Sequence, residues 1–391
     1  MAASMRRVFR GLLALKCGQR SVITPHGQNK TQYNTFLAQI RNSSTKSFQE
    51  RASLMCRDVY SRYPTKTSLF VLSGVLGFFG LEKDQEENED ELVNTIKRSI
   101  ILIQRGEFNA AERMLHLGLK LAQQRQDPDG VTYIYDLLAN LALEKGDLAK
   151  AEKLFVSVMQ RLMTAGVKQD DNRIIHASLK VAQMHSENTQ DKKGNPEKAE
   201  EGFRYCVEGL RKKVNPGGVG ENDEDTVLLL ALAEEGYARF CLSQNRLKES
   251  QQLLEKAVEH LEKGISLGTR GPDEELRTAL MLNDLGSLCS LNGDQALAVT
   301  HLGKAIECGE RGVKLRREAR KPMPPGIMGD EELVASLRIN LGVVYAKMGM
   351  FELAHKSCQD GWKAAKRLKQ NEVLKEADSC LDEVKKLMNG T

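Results

Sequence analysis

One spacing recurs six times along the 391-residue chain and restricts its fold more than any other feature. A glycine or asparagine, which tolerates the backbone of a tight turn, is followed five positions later by a small residue. Helical patterns of apolar residues lie on both sides of these turns, so the spacing predicts pairs of helices in contact through small side chains. The six pairs are Gly106/Ala111, Gly146/Ala151, Gly194/Ala199, Asn245/Ser250, Gly293/Ala298 and Gly349/Ala354.

Two more positions keep the same period. A small residue precedes five of the six turns by seven positions, and a larger residue, or Cys358, follows each turn by nine. The third unit departs because its turn at 188–195 is longer, and we place its small residue at Ala182. Small side chains let two helices approach closely while larger ones fill the flanks. We therefore predict packing contacts at Ala139, Ala151, Phe155, Ala199, Phe203, Ala238, Gly286, Ala298, Gly342, Tyr345 and Ala354.

The last unit shows the pattern most fully, with Gly342 and Tyr345 before the turn at Gly349 and Ala354 after it. This resembles the tetratricopeptide repeat, which carries Leu-Gly-x-x-Tyr in its first helix and Ala in its second. Arg338 departs from that motif, which prefers Trp at this position. The resemblance implies an all-α solenoid of about six helix pairs over residues 92–388.

The final segment and the spacing of the turns complete the predicted fold. Residues 371–388 are apolar on one face and charged on the other, which suits a capping helix that closes the end of a solenoid. The turns lie 40 to 56 residues apart, more than the usual repeat of about 34 residues. We expect the excess in polar loops at 127–130, 215–225, 271–275 and 321–330. Units of this length resemble the repeats of kinesin light chains.

Charge divides the chain into two parts. Residues 1–81 carry 12 basic residues against two acidic ones, whereas residues 82–391 carry 45 basic and 51 acidic ones. Near the start, Val8, Phe9 and Leu12 keep helical spacing, and Arg6 and Arg10 lie off that stripe. An amphipathic, acid-free N-terminus with arginines is typical of a mitochondrial presequence. We predict a presequence and polar linker, mostly disordered, over 1–66; a disordered basic tail is the alternative.

Residues 67–81 form a stretch of fifteen residues without charge. As a helix it would be about 22 Å long, shorter than the usual membrane span of about 20 residues. Basic residues precede it, and seven of the ten residues at 82–91 are acidic. Positive flanks stay on the matrix side of the mitochondrial inner membrane. We predict one short transmembrane helix at 67–81, an acidic linker at 82–91 and a repeat domain in the intermembrane space; a buried helix fragment or a second part of the presequence is the alternative.

Motifs for catalysis or metal binding are not evident in the sequence. It has no zincin motif, Walker loop or Cys/His metal spacing. The glycine-rich segment 217–220 follows Pro216 without a preceding strand, so it does not fit a dinucleotide loop. Acidic residues at 223–225 suit the start of a helix better than a cation site. His176 and His185 are nine residues apart, which favours surface or hydrogen-bonded core positions over metal ligands.

These observations predict no enzyme activity, no cofactor and no metal. A protease cofactor or a hidden hydrolase is the alternative from the enzyme class. The net charge of −6 over residues 82–391 argues against nucleic-acid binding. All eight cysteines occur singly, without Cys-x-x-Cys spacing. We expect Cys241 and Cys289, at matching positions of two first helices, to be small core residues.

A stack of helix pairs binds partners on the concave face that its first helices line. Counting from the turns places a mixed polar set on that face, without the lysine that clamps a carboxylate in chaperone-binding repeats. Asn140 and Asn283 are suited to hydrogen-bond the backbone of an extended peptide. The predicted protein-binding residues are Tyr133, Asp136, Asn140, Glu235, Arg239, Asn283 and Lys347.

The order of leader, short apolar span, acidic run and six long repeats resembles a family of mitochondrial tetratricopeptide repeat proteins that serve respiratory complex III. The stretches LFVLSGVLGFFGL, YIYDLLANLALEKGDLAKAEKLF and LRINLGVVYAKMGMFELAHKSC carry the resemblance, over about residues 67–391. It implies a non-enzymatic inner-membrane protein that supports complex III assembly and maintenance and the clearance of Rieske iron–sulfur subunit fragments. The alternative is a cytosolic adaptor of the kinesin-light-chain or cell-division type.

Overall fold

The computed structural model describes residues 91–187, 194–268, 271–319 and 330–389. Within these ranges the chain is all-α, with thirteen helices and no strand. No helix in these ranges combines the length and apolar character needed to cross a membrane. The predicted presequence, polar linker and transmembrane segment, and the acidic linker up to residue 90, lie outside the described residues.

The helices follow one another with short connections. They are α1 (Glu91–Gln104), α2 (Phe108–Gln124), α3 (Pro128–Glu144), α4 (Leu148–Thr164), α5 (Asn172–Glu187), α6 (Pro196–Val214), α7 (Glu224–Ser243), α8 (Leu247–Leu267), α9 (Pro272–Leu291), α10 (Gln295–Ala319), α11 (Asp330–Lys347), α12 (Phe351–Leu368) and α13 (Asn371–Met388). Consecutive helices pack as six pairs, α1/α2 to α11/α12, and α13 packs on α11 and α12. The second helix of each pair also contacts the first helix of the next pair. This is a solenoid of the tetratricopeptide-repeat type, and the prediction of six helix pairs with a C-terminal cap is confirmed.

Five of the six turns inside the pairs have a residue with a left-handed backbone conformation; the turn between α5 and α6 lies mostly outside the described residues. Between α3 and α4, Gly146 has a φ of 75°, which costs energy for a residue with a side chain. Its N–H donates to the Leu143 carbonyl at 2.9 Å, and the Asp147 N–H donates to the Ala142 carbonyl at 2.9 Å. Asn245 has the same conformation, with a φ of 60°, between α7 and α8. Each turn therefore closes one helix and reverses the chain within three residues.

Several helices begin within segments that we predicted as loops. Pro128 and Pro272 are the first residues of α3 and α9. Proline fits there because its φ suits a helix and the N–H it lacks has no partner in the first turn. The Asp127 carboxylate caps α3 by accepting the Gly130 N–H at 2.8 Å. The loops at 127–130, 215–225 and 271–275 are therefore shorter than predicted, and most of 321–330 lies outside the described residues.

The residues predicted at helix contacts lie in the core. A Cβ atom on Gly342 would lie 2.4 Å from the Cys358 Sγ and 3.1 Å from the Ala354 carbonyl oxygen. A Cβ atom on Gly286 would lie 2.8 Å from the Leu302 Cγ. A side chain at either glycine would therefore require a neighbouring residue to move. Ala139, Ala151, Phe155, Ala199, Phe203, Ala238, Ala298 and Ala354 are at most 1% exposed, and Tyr345 is half-buried.

The cap α13 is joined covalently to the last repeat. Cys358 of α12 and Cys380 of α13 form a disulfide with their Cα atoms 6.0 Å apart. The spacing of Cys358 predicts only a packing residue, because nothing in it differs from the other single cysteines. Trp362 also donates its indole N–H to the Asp378 carboxylate at 2.6 Å. By contrast, Cys241 and Cys289 are buried free thiols, as expected for core residues.

Candidate functional site

The predicted binding residues of α3 belong to a buried polar cluster between α3 and α5. Tyr133, Asp136 and Asn140 are 2%, 5% and 4% exposed. The Asn140 amide donates to the Asp136 carbonyl at 2.9 Å and to the Asp136 carboxylate at 3.1 Å. Lys180 of α5 is 1% exposed and brings an opposite charge near Asp136. The cluster thus combines a buried carboxylate with a buried ammonium group.

Burial changes the proton affinities of this cluster. It raises the pKa of the Asp136 carboxyl to about 6, while the Lys180 charge and the Asn140 hydrogen bond oppose that rise. Burial and the same Lys180 charge lower the pKa of His176 to about 3, so this imidazole is neutral at pH 7. Burial, followed by the Asp136 charge, raises the pKa of the Tyr133 hydroxyl. Neutral forms are favoured because charge is costly to bury.

Two acceptor-capable atoms of this cluster have unmet hydrogen-bonding capacity. Within the described residues, Asn140 Oδ1 and His176 Nε2 are buried and have no hydrogen-bond partner. His176 is half-buried as a whole, although its Nε2 is buried, so it lies between the surface and core positions expected for it. A buried polar atom without a partner costs free energy, so such atoms are unusual in folded proteins.

Glu235 and Arg239 form a second cluster, which also contains Arg277. The Glu235 carboxylate accepts a hydrogen bond from Arg239 one turn further along α7. Arg277 of α9 approaches the same carboxylate at 3.5 Å. Glu235 and Arg239, two of the predicted binding residues, therefore pair with each other. Through Arg277, Glu235 also connects the first helices α7 and α9.

Asn283 and Lys347 belong to the contact between α9 and α11. The Asn340 amide donates to Asn283 Oδ1 at 2.8 Å. At the other end of the same interface, the Lys347 ammonium donates to the Ser290 hydroxyl at 3.0 Å. Both predicted residues thus bridge first helices that are more than 50 residues apart in sequence.

The seven predicted residues therefore lie in three groups rather than in one continuous row. Five of them, Tyr133, Asp136, Asn140, Glu235 and Asn283, are at most 8% exposed. Counting positions from a turn identifies residues on one face of a single helix. It does not show that neighbouring first helices pack on this face and bury most of these residues. Lys180, Arg277 and Asn340 were not among the predicted residues, although each is a polar residue within an apolar helical pattern. Binding of a partner by the seven residues remains a prediction.

Two further features bear on chemistry. In the described ranges, no group of three or more His, Cys, Asp or Glu side chains is arranged to hold a metal ion. A cleft of about 460 Å³ lies where the start of α5, the end of α6 and the start of α7 meet. Its walls are charged and polar, and they include the glycine-rich loop after α6.

Comparison with known proteins identifies relatives. A Drosophila melanogaster protein, "Tetratricopeptide repeat protein 19 homolog, mitochondrial", is 32% identical over 316 residues, which is 80% of this chain and 77% of that protein. The Danio rerio "Tetratricopeptide repeat protein 19, mitochondrial" is 32% identical over 237 residues; this match spans 59% of this chain and little more than half, 56%, of the relative. No family model matches the chain.

Solved structures resemble the chain more distantly. One is a signal-transduction ATPase from Pyrococcus horikoshii with a tetratricopeptide repeat sensor, which is 15% identical with a TM-score of 0.46. The match covers 74% of this chain and 36% of that protein.

Proposed function

Because this chain belongs to the family of mitochondrial tetratricopeptide repeat protein 19, we propose that it is a non-enzymatic scaffold of the mitochondrial inner membrane that binds subunits of respiratory complex III. In this proposal it supports assembly and maintenance of complex III and the clearance of Rieske iron–sulfur subunit fragments. The observation that carries the proposal is 32% identity to a family member over 80% of the chain.

The repeat fold supports a binding role. Stacked helix pairs present an extended surface, and proteins built from them generally act by holding other proteins. Most of the polar residues predicted to bind are used between neighbouring first helices, so a partner would contact the surface around them.

The disulfide between Cys358 and Cys380 supports a repeat domain in the intermembrane space. Structural disulfides are typical of oxidising compartments and rare where glutathione and thioredoxin keep thiols reduced. This bond therefore disfavours the cytosolic adaptor of the kinesin-light-chain or cell-division type. The predicted span at 67–81, with basic residues before it and acidic residues after it, supports the same orientation.

Affinity purification from detergent-solubilised mitochondria tests the proposed partner. We expect the full chain with a C-terminal tag to recover complex III subunits, including the Rieske protein. Residues 1–91 fused to the same tag are the control, since they carry the predicted address and anchor without the helix pairs. Recovery of no complex III by the full chain, or equal recovery by the control, would contradict the proposal.

The proposed location has its own test. A fusion of residues 1–70 to a fluorescent protein should enter mitochondria, whereas a diffuse cytosolic signal would favour the adaptor. In mitoplasts, whose outer membrane is opened, protease should degrade the repeat domain of the full chain. Protection of that domain would place it in the matrix and refute the orientation.

A further inference from the structure

The glycine-rich loop at 215–223, which connects α6 to α7, has no role in the function proposed above. It forms one wall of the cleft of about 460 Å³ described earlier. The opposite wall is the start of α5, with Asp171, Asn172 and Arg173. We call this place the 213/219 cleft, after Lys213 at its base and Val219 at its rim.

Glycines hold the loop in one conformation against the end of α6. A Cβ atom on Gly218 would lie 2.1 Å from the Lys213 carbonyl oxygen, so no other residue fits there. The Gly220 N–H donates to the same carbonyl at 3.0 Å. The Gly217 N–H, in a residue with a φ of 80°, donates to the Glu221 carboxylate at 2.7 Å. The loop is therefore closely hydrogen-bonded back onto the helix that precedes it.

This loop holds an apolar side chain in water. Val219 is 92% exposed, the largest exposed fraction of any large apolar residue in the described part of the chain. Its exposure adds nothing to the stability of the fold, because only removal from water makes an apolar side chain stabilising. A partner that covered Val219 would supply that burial.

The two carboxylates in the cleft accept hydrogen bonds from nearby residues of this chain. Asp171 accepts two hydrogen bonds from the Arg173 guanidinium, at 2.9 and 3.2 Å. Asp223 caps α7 by accepting the Thr226 N–H at 3.1 Å. Both carboxylates are thus used within the fold.

Lys213 is close enough to Asp171 to help lower the pKa of that carboxyl, but its hydrogen bond goes to a neutral group. Within the described residues, its ammonium group donates one hydrogen bond, at 2.8 Å, to the neutral Asn172 Oδ1. An ammonium group has three donors, so Lys213 retains capacity for an acceptor. The best acceptor for it is an anion, since charge-assisted hydrogen bonds are stronger than neutral ones.

We infer that the 213/219 cleft docks a short peptide segment of a partner protein, in which an Asp or Glu lies next to an aliphatic residue. The carboxylate of the segment accepts from Lys213, and the aliphatic side chain covers Val219. The inference rests on the proposed function, because it assigns one contact surface to the scaffold, and the partner is then a complex III subunit.

Photo-crosslinking in mitochondria tests the inference. The full chain carries p-benzoylphenylalanine at position 219, and the adduct is digested and sequenced by mass spectrometry. We expect the cross-linked peptide to contain Asp or Glu beside an aliphatic residue. Lys213→Gln in the same chain should lower the adduct yield about tenfold, as expected for a lost hydrogen bond to a charged group. The same cross-linker at Lys314, which is 75% exposed on α10, is the position control.

Folding and binding can be separated at this site. Val219→Ser should leave the melting temperature unchanged, because the side chain is exposed, yet it should lower recovery of complex III. The inference is overturned by absence of an adduct at 219, by a lipid adduct, by an adduct peptide without a carboxylate, or by a yield that Lys213→Gln does not change. The cross-linked peptide could contain Asp or Glu beside an aliphatic residue and yet come from a protein outside complex III. That result would support the docking cleft and contradict complex III as the proposed partner.

Discussion

The contacts between the first and second helix pairs and those between the fifth and sixth pairs are built from different chemistry. We call the contacts between one helix pair and the next a joint. Between α2 and the next pair, Glu112 contacts Lys145 at 2.7 Å and Lys150 at 2.5 Å, and the three side chains are 22–43% exposed. Between α10 and α11, Arg316 contacts Asp330 at 2.5 Å, and both side chains are 9% exposed. Arg316 also reaches Asp273 at the start of α9, at 2.5 Å.

This difference shows that one repeat plan tolerates two kinds of joint. An exposed lysine–glutamate contact is screened by water and salt and contributes little. A buried arginine with two carboxylates has a large desolvation cost and depends on complete pairing. Arginine suits the buried joint because its planar group offers several donors to two acceptors at once. The C-terminal end therefore depends more strongly on individual side chains than the N-terminal end.

A regular position explains the exposed joints. The fifth residue of each of the first four second helices contacts the end of the following first helix or its turn. These residues are Glu112, Glu152, Glu200 and Gln251, and their partners are Lys145, His185, Arg246 and Asn292. The carboxylate of the first three joints is replaced by the Gln251 amide at the fourth, and Val299 occupies the matching position of α10.

The largest expected effect concerns the buried joint. Arg316→Met removes the buried ion pairs with Asp330 and Asp273 and should lower the free energy of unfolding by about 3–5 kcal/mol. Chemical denaturation measures it, with Lys314→Met, at an exposed site two residues away, as a control that changes stability by less than about 0.5 kcal/mol. Equal stability of the two variants would show that the buried Arg316 contributes no more to the free energy of unfolding than the exposed Lys314.

The covalent link of the cap comes next. Cys380→Ser removes a disulfide that closes a segment of 22 residues and should cost about 3 kcal/mol. Hydrogen exchange should increase first in α13. A reducing agent should reproduce this change in the parent protein and have no further effect on the variant. Unchanged exchange in α13 would mean that packing alone holds the cap.

Close approach in the last pair predicts a smaller loss. Gly342→Ala places a Cβ atom within 2.4 Å of the Cys358 Sγ and should cost about 2 kcal/mol. Gly303→Ala on α10 is the matched control, because a Cβ atom there meets nothing within 4 Å. That variant should gain about 0.5–1 kcal/mol through helix propensity. If the melting temperatures of both variants shifted in the same direction, the predicted helix contact at Gly342 would be refuted.

The smallest effect is expected at the exposed joint. Glu112→Gln should lower stability by less than about 1 kcal/mol, and 1 M salt should remove most of that difference. Hydrogen bonds from Lys145 and Lys150 lower the pKa of Glu112 from 4.5 to about 2. A carboxyl with a lowered pKa stabilises the folded state above pH 4.5 and loses that effect as the pH falls towards 2. The difference between parent and variant should therefore shrink over this window, and a difference that grows would contradict the pairing.

Much of the fold followed from local signals, and most of the site did not. Gly146 and Gly349 predict turns because few other residues adopt their backbone angles, and Gly342 predicts a close contact because it has no side chain. The starts at Pro128 and Pro272 were missed, although proline at a first helical position is a known signal. The predicted surface role of Asn283 overlooked Asn340, because the two are 57 residues apart and only the packing of α9 on α11 brings them together.

The sequence by itself determined that this protein is a series of helix pairs, since turn conformations and side-chain size act within a few residues of the chain. The tertiary structure alone decided which polar groups face a neighbour, which cysteines are bonded and where a lysine has only a neutral hydrogen-bond partner. Hydrogen bonds and ion pairs are short-ranged and directional, so they depend on distances between helices that no local pattern encodes. Arg316 and Asp273, 43 residues apart in the chain, meet only because α9, α10 and α11 pack around them.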